Sequence, residues 1–501
     1  MIIMKEIFMG KSTELDVKVK FGLKSFIAVV AILLAVLIFV GVLTFVIPAG
    51  RYTVYTNEES KVGQPFYQYT ADKSLEGQIV IDSYRELEEE ENASRLPVFR
   101  WLTSPFEALI FGTNRTNMIM IIALLLVLGG TFKVLEESGG LVSLVRVIMV
   151  RLHSRRFVAI WIITAVIMIL SAVFGLQEQL LILYPVFAML CTALNWSRFT
   201  AISFVLIASG VGFTTAITNP LTIGTASLAA GVSVTDGLWY RCIIFCVMYV
   251  VTALFLMYLA KNDERKATEK FDVDGFVMVT PEEHKEDIRK AKMITALFSV
   301  ALLSVIITTA IKSLRSLAMA FMAVAFVVGT VIVGKLLLGT YKQLGKSFVK
   351  GVKDVLPSIV IIMIAFGITH IAQEGNILHT IFYHFYNSVT NISPYLAVVI
   401  LYAFVLIIEF FIPSASAKAV LIIPMLTLAP IEGISKTVII LTYLFADGYT
   451  NVLYPTCGTL LVGLGLADVS FAQWFKKTIL FQLLLMILSL GFLMLAVFIG
   501  L

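Results

Sequence analysis

Charge is scarce in this chain of 501 residues: Asp, Glu, Lys and Arg together make up 14%, against 59% hydrophobic residues. With a mean hydropathy of +0.94, a solvated globular surface is excluded. Cysteine is nearly absent, four in all (Cys191, Cys242, Cys246, Cys457), and each lies in an apolar stretch, which excludes a disulfide scaffold. Cys242 and Cys246 are one helical turn apart, but no histidine or second pair completes a metal site, so they are expected to pack. Histidine numbers five and forms no His-Glu-x-x-His helix, and Asp447-Gly448 alone does not make an aspartyl pair, so intramembrane hydrolysis lacks its catalytic set. A filter repeat or ring of charge is also missing, which argues against a channel. The net charge of +5 sits in short loops on one side of the apolar runs, a membrane pattern that implies no nucleic-acid partner.

What is present is a series of apolar runs near the ~20 residues needed to cross a bilayer. They do not alternate as barrel strands do, so the expected fold is an all-α polytopic membrane protein. Residues 1–24 read as a cytoplasmic tail with Lys5, Lys11, Lys18, Lys20 and Lys24, and 25–48 as the first transmembrane helix, with no cleavable signal peptide. Residues 49–115, with Glu88 to Glu91, read as an extracytoplasmic acidic segment. Residues 116–260 form a first unit, containing a cytoplasmic interfacial helix from Leu141 to His153. In it, 157–195 reads as a hairpin dipping into the membrane and 199–232 as a helix broken by the Gly210 to Pro220 stretch. Residues 261–292 are a charged cytoplasmic linker. Residues 293–353 hold two scaffold helices and a basic cytoplasmic loop with Lys342, Lys346, Lys350 and Lys353.

Residues 354–501 repeat the first unit. Gly130 to Glu137 (GTFKVLEE) corresponds to Gly367 to Glu374 (GITHIAQE), and Phe174 to Phe411 at the same offset. The expected counterparts are a hairpin at 395–430 and a broken helix at 436–467. Each unit has an odd number of full spans, so the second copy is expected to be inverted. The fold expectation is therefore two inverted-topology repeats, each with a re-entrant helical hairpin and a broken transmembrane helix, the layout of an alternating-access carrier.

The first hairpin tip is Gln177-Glu178-Gln179. A carboxylate at membrane depth costs roughly 2.5–3.5 kcal/mol or more, so Glu178 is read as functional rather than as a cap of the hairpin. The second tip carries Ser414, Ser416 and Lys418, and the breaks carry Thr218, Asn219, Asp447, Thr450, Asn451 and Thr456. A broken helix offers N–H groups to anions and carbonyls to cations. The candidate solute contacts are Gln177, Glu178, Gln179, Asn219, Ser414, Ser416, Lys418, Asp447, Asn451 and Thr456. A candidate Na⁺ set is Thr218, Asn219, Thr450 and Asn451, with backbone repair as its alternative role. Lys418 has two readings, a solute carboxylate or an internal acid such as Glu409, and the internal pair is preferred because an uncompensated lysine is costly. His370, His379 and His384 are expected at the outer interface. Glu137 and Glu374, at matched span ends, need only solvation.

Several short motifs, in this order and spacing, resemble one family across nearly the whole chain. They are Ile47-Pro-Ala-Gly50, Tyr184-Pro185, Asn219-Pro220 with Ala229-Ala-Gly-Val232 and Asp236-Gly237, Phe411-Ile-Pro-Ser-Ala-Ser416, and Tyr454-Pro-Thr456. The sequence is similar to the YfcC-like branch of the ArcD/DcuC carriers, in the ion transporter superfamily. It departs at Gln177-Glu178-Gln179, where relatives usually have Gly-Glu-Glu, and at Ala417, where they have Gly. The resemblance implies an inner-membrane, multi-pass secondary carrier, not an enzyme, for small carboxylate-bearing metabolites (a C4-dicarboxylate or an amino acid). It implies coupling to Na⁺ or H⁺ by elevator-like or other alternating access. The alternative is an arginine/ornithine-type exchanger. No cofactor is expected; the partners are a small organic solute and the lipid bilayer, with a homodimer left open.

Overall fold

The computed structural model describes residues 23–58, 66–71, 80, 83–87, 97–112, 115–152, 155–266, 280–311, 314, 317–389, 392–412, 415–428 and 433–501. The expected tail of residues 1–24, the Glu88 to Glu91 run and Ser414 thus lie wholly or mostly outside the described residues, as does the side chain of Ser416. What is described is almost wholly helical. After α1 (Leu23–Val46) come four short strands, β1 (Gly50–Arg51), β2 (Val54–Thr56), β3 (Tyr67–Tyr69) and β4 (Arg85–Glu86). β1 pairs antiparallel with β4, and β2 parallel with β3. The helix α2 (Val98–Ile110) closes this segment.

Two matched series of helices follow. The first is α3 (Arg115–Glu137), α4 (Gly140–Leu152), α5 (Arg156–Phe174), a 3₁₀ turn (Gln179–Leu183), α6 (Tyr184–Ala193), α7 (Arg198–Thr215), α8 (Ile223–Ala230) and α9 (Leu238–Lys266). Between the series lie α10 (Pro281–Ala310) and α11 (Ala318–Leu338). The second is α12 (Tyr341–Glu374), α13 (Ile377–Val389), α14 (Pro394–Phe411), α15 (Ala415–Leu428), α16 (Lys436–Thr450), α17 (Gly458–Ala467) and α18 (Phe471–Phe498). Nine of these helices, among the described residues, are long and apolar enough to cross a membrane: α3, α5, α7, α9, α10, α11, α12, α14 and α18. The chain is therefore an all-α, multi-pass membrane protein.

Local chemistry sets the boundaries, and it does so twice. Ser197 and Ser435 cap α7 and α16, each accepting the backbone N–H three residues on. The short helices α8 and α17 both end on a left-handed residue, Gly231 and Asp468. α3 and α12 both end on a glutamate, Glu137 and Glu374.

Matched helices pack on each other across the molecule, α3 on α12 and α7 on α16, while α8 packs on α15 and α6 on α17. Both self-matched pairs run antiparallel. Gly210 faces Val452 and Gly448, whereas Thr214, one turn on, faces Gly448. Gly129 faces Val355, while Glu137 reaches Ser347 and Lys350. Gly448 is required at its crossing, because a Cβ there would lie 1.9 Å from Thr214 Oγ1 and 2.5 Å from its backbone N. α7 is enclosed almost throughout, whereas α10 and α11 expose apolar side chains, as lipid-facing scaffold helices do.

Five details differ from expectation. Residues 342–353 are helical, not a loop: Thr340 caps α12, and no proline interrupts it before Pro357. α2 was not expected; its exposed Phe99, Leu102, Phe106 and Ile110 make one apolar stripe, while Trp101, Ser104, Pro105 and Ala108 are buried. Cys242 and Cys246 are exposed on α9 rather than packed in the core. His370 and His379 do more than meet an interface, His370 being buried 3.7 Å from Glu107 and His379 being half-buried and accepting the Tyr52 N–H at Nδ1 (3.1 Å). Glu137 likewise does more than meet solvent, since it takes hydrogen bonds from Ser347 and from Lys350 (2.8 Å).

Candidate functional site

The first hairpin turns where α5 ends at Gly175, whose φ of 75° is left-handed. Glycine is needed there on a second ground, because a Cβ would sit 2.4 Å from Asn219 Oδ1. The tip is thus pressed against the break between α7 and α8. That break is tied back to the hairpin: the Thr218 and Asn219 N–H groups donate to the Ala172 carbonyl (3.2 and 3.1 Å). Asn219 is fully buried, and its Oδ1 accepts the Leu221 N–H at 2.8 Å, closing the turn before Pro220 ends the helical path. Its Nδ2 has no partner among the described residues. Thr218 is exposed and its hydroxyl donates to the Val173 carbonyl at 3.2 Å, so it repairs backbone.

The same tip reaches across to the other half. Gln177 is buried and accepts the Asn451 amide at 3.2 Å, and Asn451 in turn accepts Cys457 Sγ at 3.6 Å. Glu178 is half-buried against Thr459, the second residue of α17, and its Oε2 is enclosed without a hydrogen-bond partner. Gln177 Nε2, Gln179 Oε1 and Thr456 Oγ1 are also buried without partners among the described residues. Buried polar atoms are normally paired. These atoms lie at the first hairpin tip and at the two helix breaks.

One turn before Asn451 on α16 stands Asp447. It shares a fully buried cluster with Glu409 of α14 and Lys418 of α15. Lys418 Nζ donates to Asp447 Oδ1 at 2.6 Å, forms an ion pair with Glu409, and lies 3.4 Å from the Ile412 carbonyl and 5.5 Å from the Tyr443 ring centre. Lys418 therefore holds internal acids rather than standing free. Thr450 donates to the Ala446 and Asp447 carbonyls (2.9 and 3.0 Å), again backbone repair, and lies against Glu409. The Val452 carbonyl, released by the second break, is taken up by Trp474 Nε1 (2.8 Å) and Gln482 Nε2 (2.9 Å) of α18.

Of the residues singled out in the sequence, the structure joins Gln177 to Asn451, brings Asn219 against the first tip, and joins Lys418 to Asp447. Glu409, noted only as a partner for Lys418, is a full member of its cluster; Thr459, Cys457, Trp474 and Gln482 were not foreseen. For Glu409 a signal existed, a lone acid inside an apolar span; for the others there was none.

The family that this membrane chain matches is one of carriers, which makes it a transporter and not an enzyme. The chain belongs to the DcuC family, the C4-dicarboxylate anaerobic carriers, whose family model matches residues 26–498. It is 24% identical over 483 residues (88% of this chain, 91% of the relative) to the Escherichia coli (strain K12) protein named "Putative basic amino acid antiporter YfcC". An uncharacterized protein of Haemophilus influenzae is 21% identical over 486 residues, covering 89% and 92% of the two chains. Among solved structures, the YdaH transporter of Alcanivorax borkumensis has a TM-score of 0.41 at 15% identity, covering 95% of this chain and 98% of its own. MtrF of Neisseria gonorrhoeae, from a class of antimetabolite efflux pumps, has a TM-score of 0.43 at 14% identity, covering 94% and 95%.

Proposed function

We propose that the chain is a secondary active carrier of a small amino acid bearing an extra positive charge, of the arginine or ornithine type, coupled to a cation gradient or to exchange. One observation carries this reading. Around the first hairpin tip, Glu178 Oε2, Gln177 Nε2 and Asn219 Nδ2 are buried and have no partner among the described residues. A carboxylate offers a place for a guanidinium or ammonium, and two amide donors offer a place for an α-carboxylate. A dicarboxylate fits this chemistry less well, because Lys418, which could have met its second carboxylate, is engaged by Glu409 and Asp447. The name of the Escherichia coli relative points the same way, and the family description toward the dicarboxylate.

In this reading the two series are inverted repeats related by an axis in the membrane plane, which the antiparallel packing of α3 on α12 and of α7 on α16 supports. The hairpins open alternately to the two sides. The lysines of α12 and the charged linker face the cytoplasm with the N-terminus, and the membrane is the cell's inner one.

The test is the thermal stability of the purified carrier with L-arginine, L-ornithine or succinate, each in Na⁺ and in choline buffer. A ligand that binds only the folded state raises the melting temperature by mass action. Arginine and ornithine should stabilise. Glu178→Gln should melt at the wild-type temperature and lose that response. Stabilisation by succinate alone would replace this reading with the dicarboxylate one.

A further inference from the structure

The second series seals Glu409, Lys418 and Asp447 inside the protein at positions where, among the described residues, the first series carries no charge. Phe174 and Phe411 end matched helices, so Glu409 corresponds to Ala172. Lys418 falls on the apolar run from Leu180 to Leu183, and Asp447 on the stretch from Ser209 to Gly212. The same succession of helices forms in the first half with uncharged residues at these three matched places, so packing there does not require the charges. Buried ion clusters can often be replaced by apolar groups at no loss of stability. Their presence here calls for a role other than holding the hairpin together.

Counting charge indicates the role. Two carboxylates and one ammonium leave an excess of one negative charge, and all three residues are fully buried. The ammonium's three donors are taken by Asp447 Oδ1, Glu409 and the Ile412 carbonyl. Asp447 Oδ2 has no hydrogen-bond partner among the described residues. The groups facing the two acids are Lys418, the hydroxyl of Thr450, and the phenols of Tyr443 and Tyr454; none of them supplies a second cation.

We propose that Glu409, Lys418 and Asp447 form the carrier's coupling site and that it takes a proton rather than Na⁺. Lys418 stays charged between the two acids and fills the space a metal ion would need. One proton on the Glu409–Asp447 pair then makes the cluster neutral. It is taken from water on one side as a carboxyl O–H bond forms and returned to water on the other as that bond breaks, with no electron transferred. The inference rests on the carrier reading but not on the identity of the solute.

Two measurements on the full-length protein test it. In the first, purified wild type is titrated against the variant Glu409→Ala/Lys418→Leu/Asp447→Ser, which copies the uncharged character of the first half. The wild type should bind about one proton more per chain, equally in Na⁺ and in choline. Glu409→Gln and Asp447→Asn, nearly unchanged in shape, should each lose that proton, which keeps the test valid if the triple variant does not fold. In the second, wild-type proteoliposomes holding a pH-sensitive dye receive L-arginine or succinate. The solute that moves should move protons with it, driven by a pH gradient and not by a Na⁺ gradient. No difference in titration, a proton displaced by Na⁺, or transport driven by Na⁺ alone overturns the proposal. Failure of both solutes to move would count against the substrate reading, while the titration still decides the proton site.

Discussion

Replacing Lys418 by methionine keeps the length of the side chain and removes the one cation that, among the described residues, meets two enclosed acids. Both Glu409 and Asp447 contact the same nitrogen, so their oxygens lie within about 5 Å of each other, where two full charges repel by roughly 3 kcal/mol at an effective dielectric of ~20. Removing one partner of a buried ion pair costs about 3–5 kcal/mol for the same reason, the stranding of charge without water. We therefore expect Lys418→Met to lower stability by roughly that amount, 3–5 kcal/mol, with most of it restored in Lys418→Met/Glu409→Gln/Asp447→Asn. The assay is equilibrium unfolding in mixed micelles, with melting temperature in detergent as a second readout. Loss of packing alone would leave the single and triple variants equally destabilised. A single variant as stable as wild type, or a triple variant no better than the single, would refute the charge argument.

Three other outcomes are expected. Gly448→Ala should destabilise by about 1–3 kcal/mol through overpacking, seen as a lower melting temperature. Thr214→Ala should not rescue it, because the clash also involves the Thr214 backbone N. His379, outside the spanning helices, has its pKa lowered from 6.5 to about 4 by burial and then by the charge of Arg51. It is thus neutral in the fold at neutral pH, and its support is complete above 6.5 and lost as pH falls toward 4, when a proton on Nδ1 displaces the Tyr52 N–H. Amide-exchange protection at Tyr52 should fall over that window in wild type and stay flat in His379→Gln. Finally, cysteines introduced as Ala415→Cys and Glu178→Cys should be labelled by impermeant reagents from opposite faces; labelling of both from the same face would end the inverted-repeat reading.

The all-helical membrane class, the family motifs and the doubling of the element order were legible in the chain because each rests on local composition. Apolar runs need only be long, and Gly175, Pro220 and the serine caps act on their own neighbours. α2 has an apolar stripe at helical spacing, but it follows directly on an acidic run that gives the whole segment a polar composition. The resemblance between halves pointed to the tips and breaks, and there the structure gathers buried polar atoms without partners among the described residues. Which side chains meet there was not legible. Gln177 and Asn451 are 274 positions apart, and no spacing rule links them. Whether Lys418 would find Glu409, Asp447 or a solute depended on the rotation of α14, α15 and α16 about their axes. In the sequence, Glu178 and Asp447 are two acids of the same kind. Only packing separates them, leaving Glu178 with an unpartnered oxygen at a tip and Asp447 locked to a lysine. Hydropathy and helix signals are properties of neighbouring residues, whereas the pairing of buried charges is fixed by helix crossings that the whole core determines.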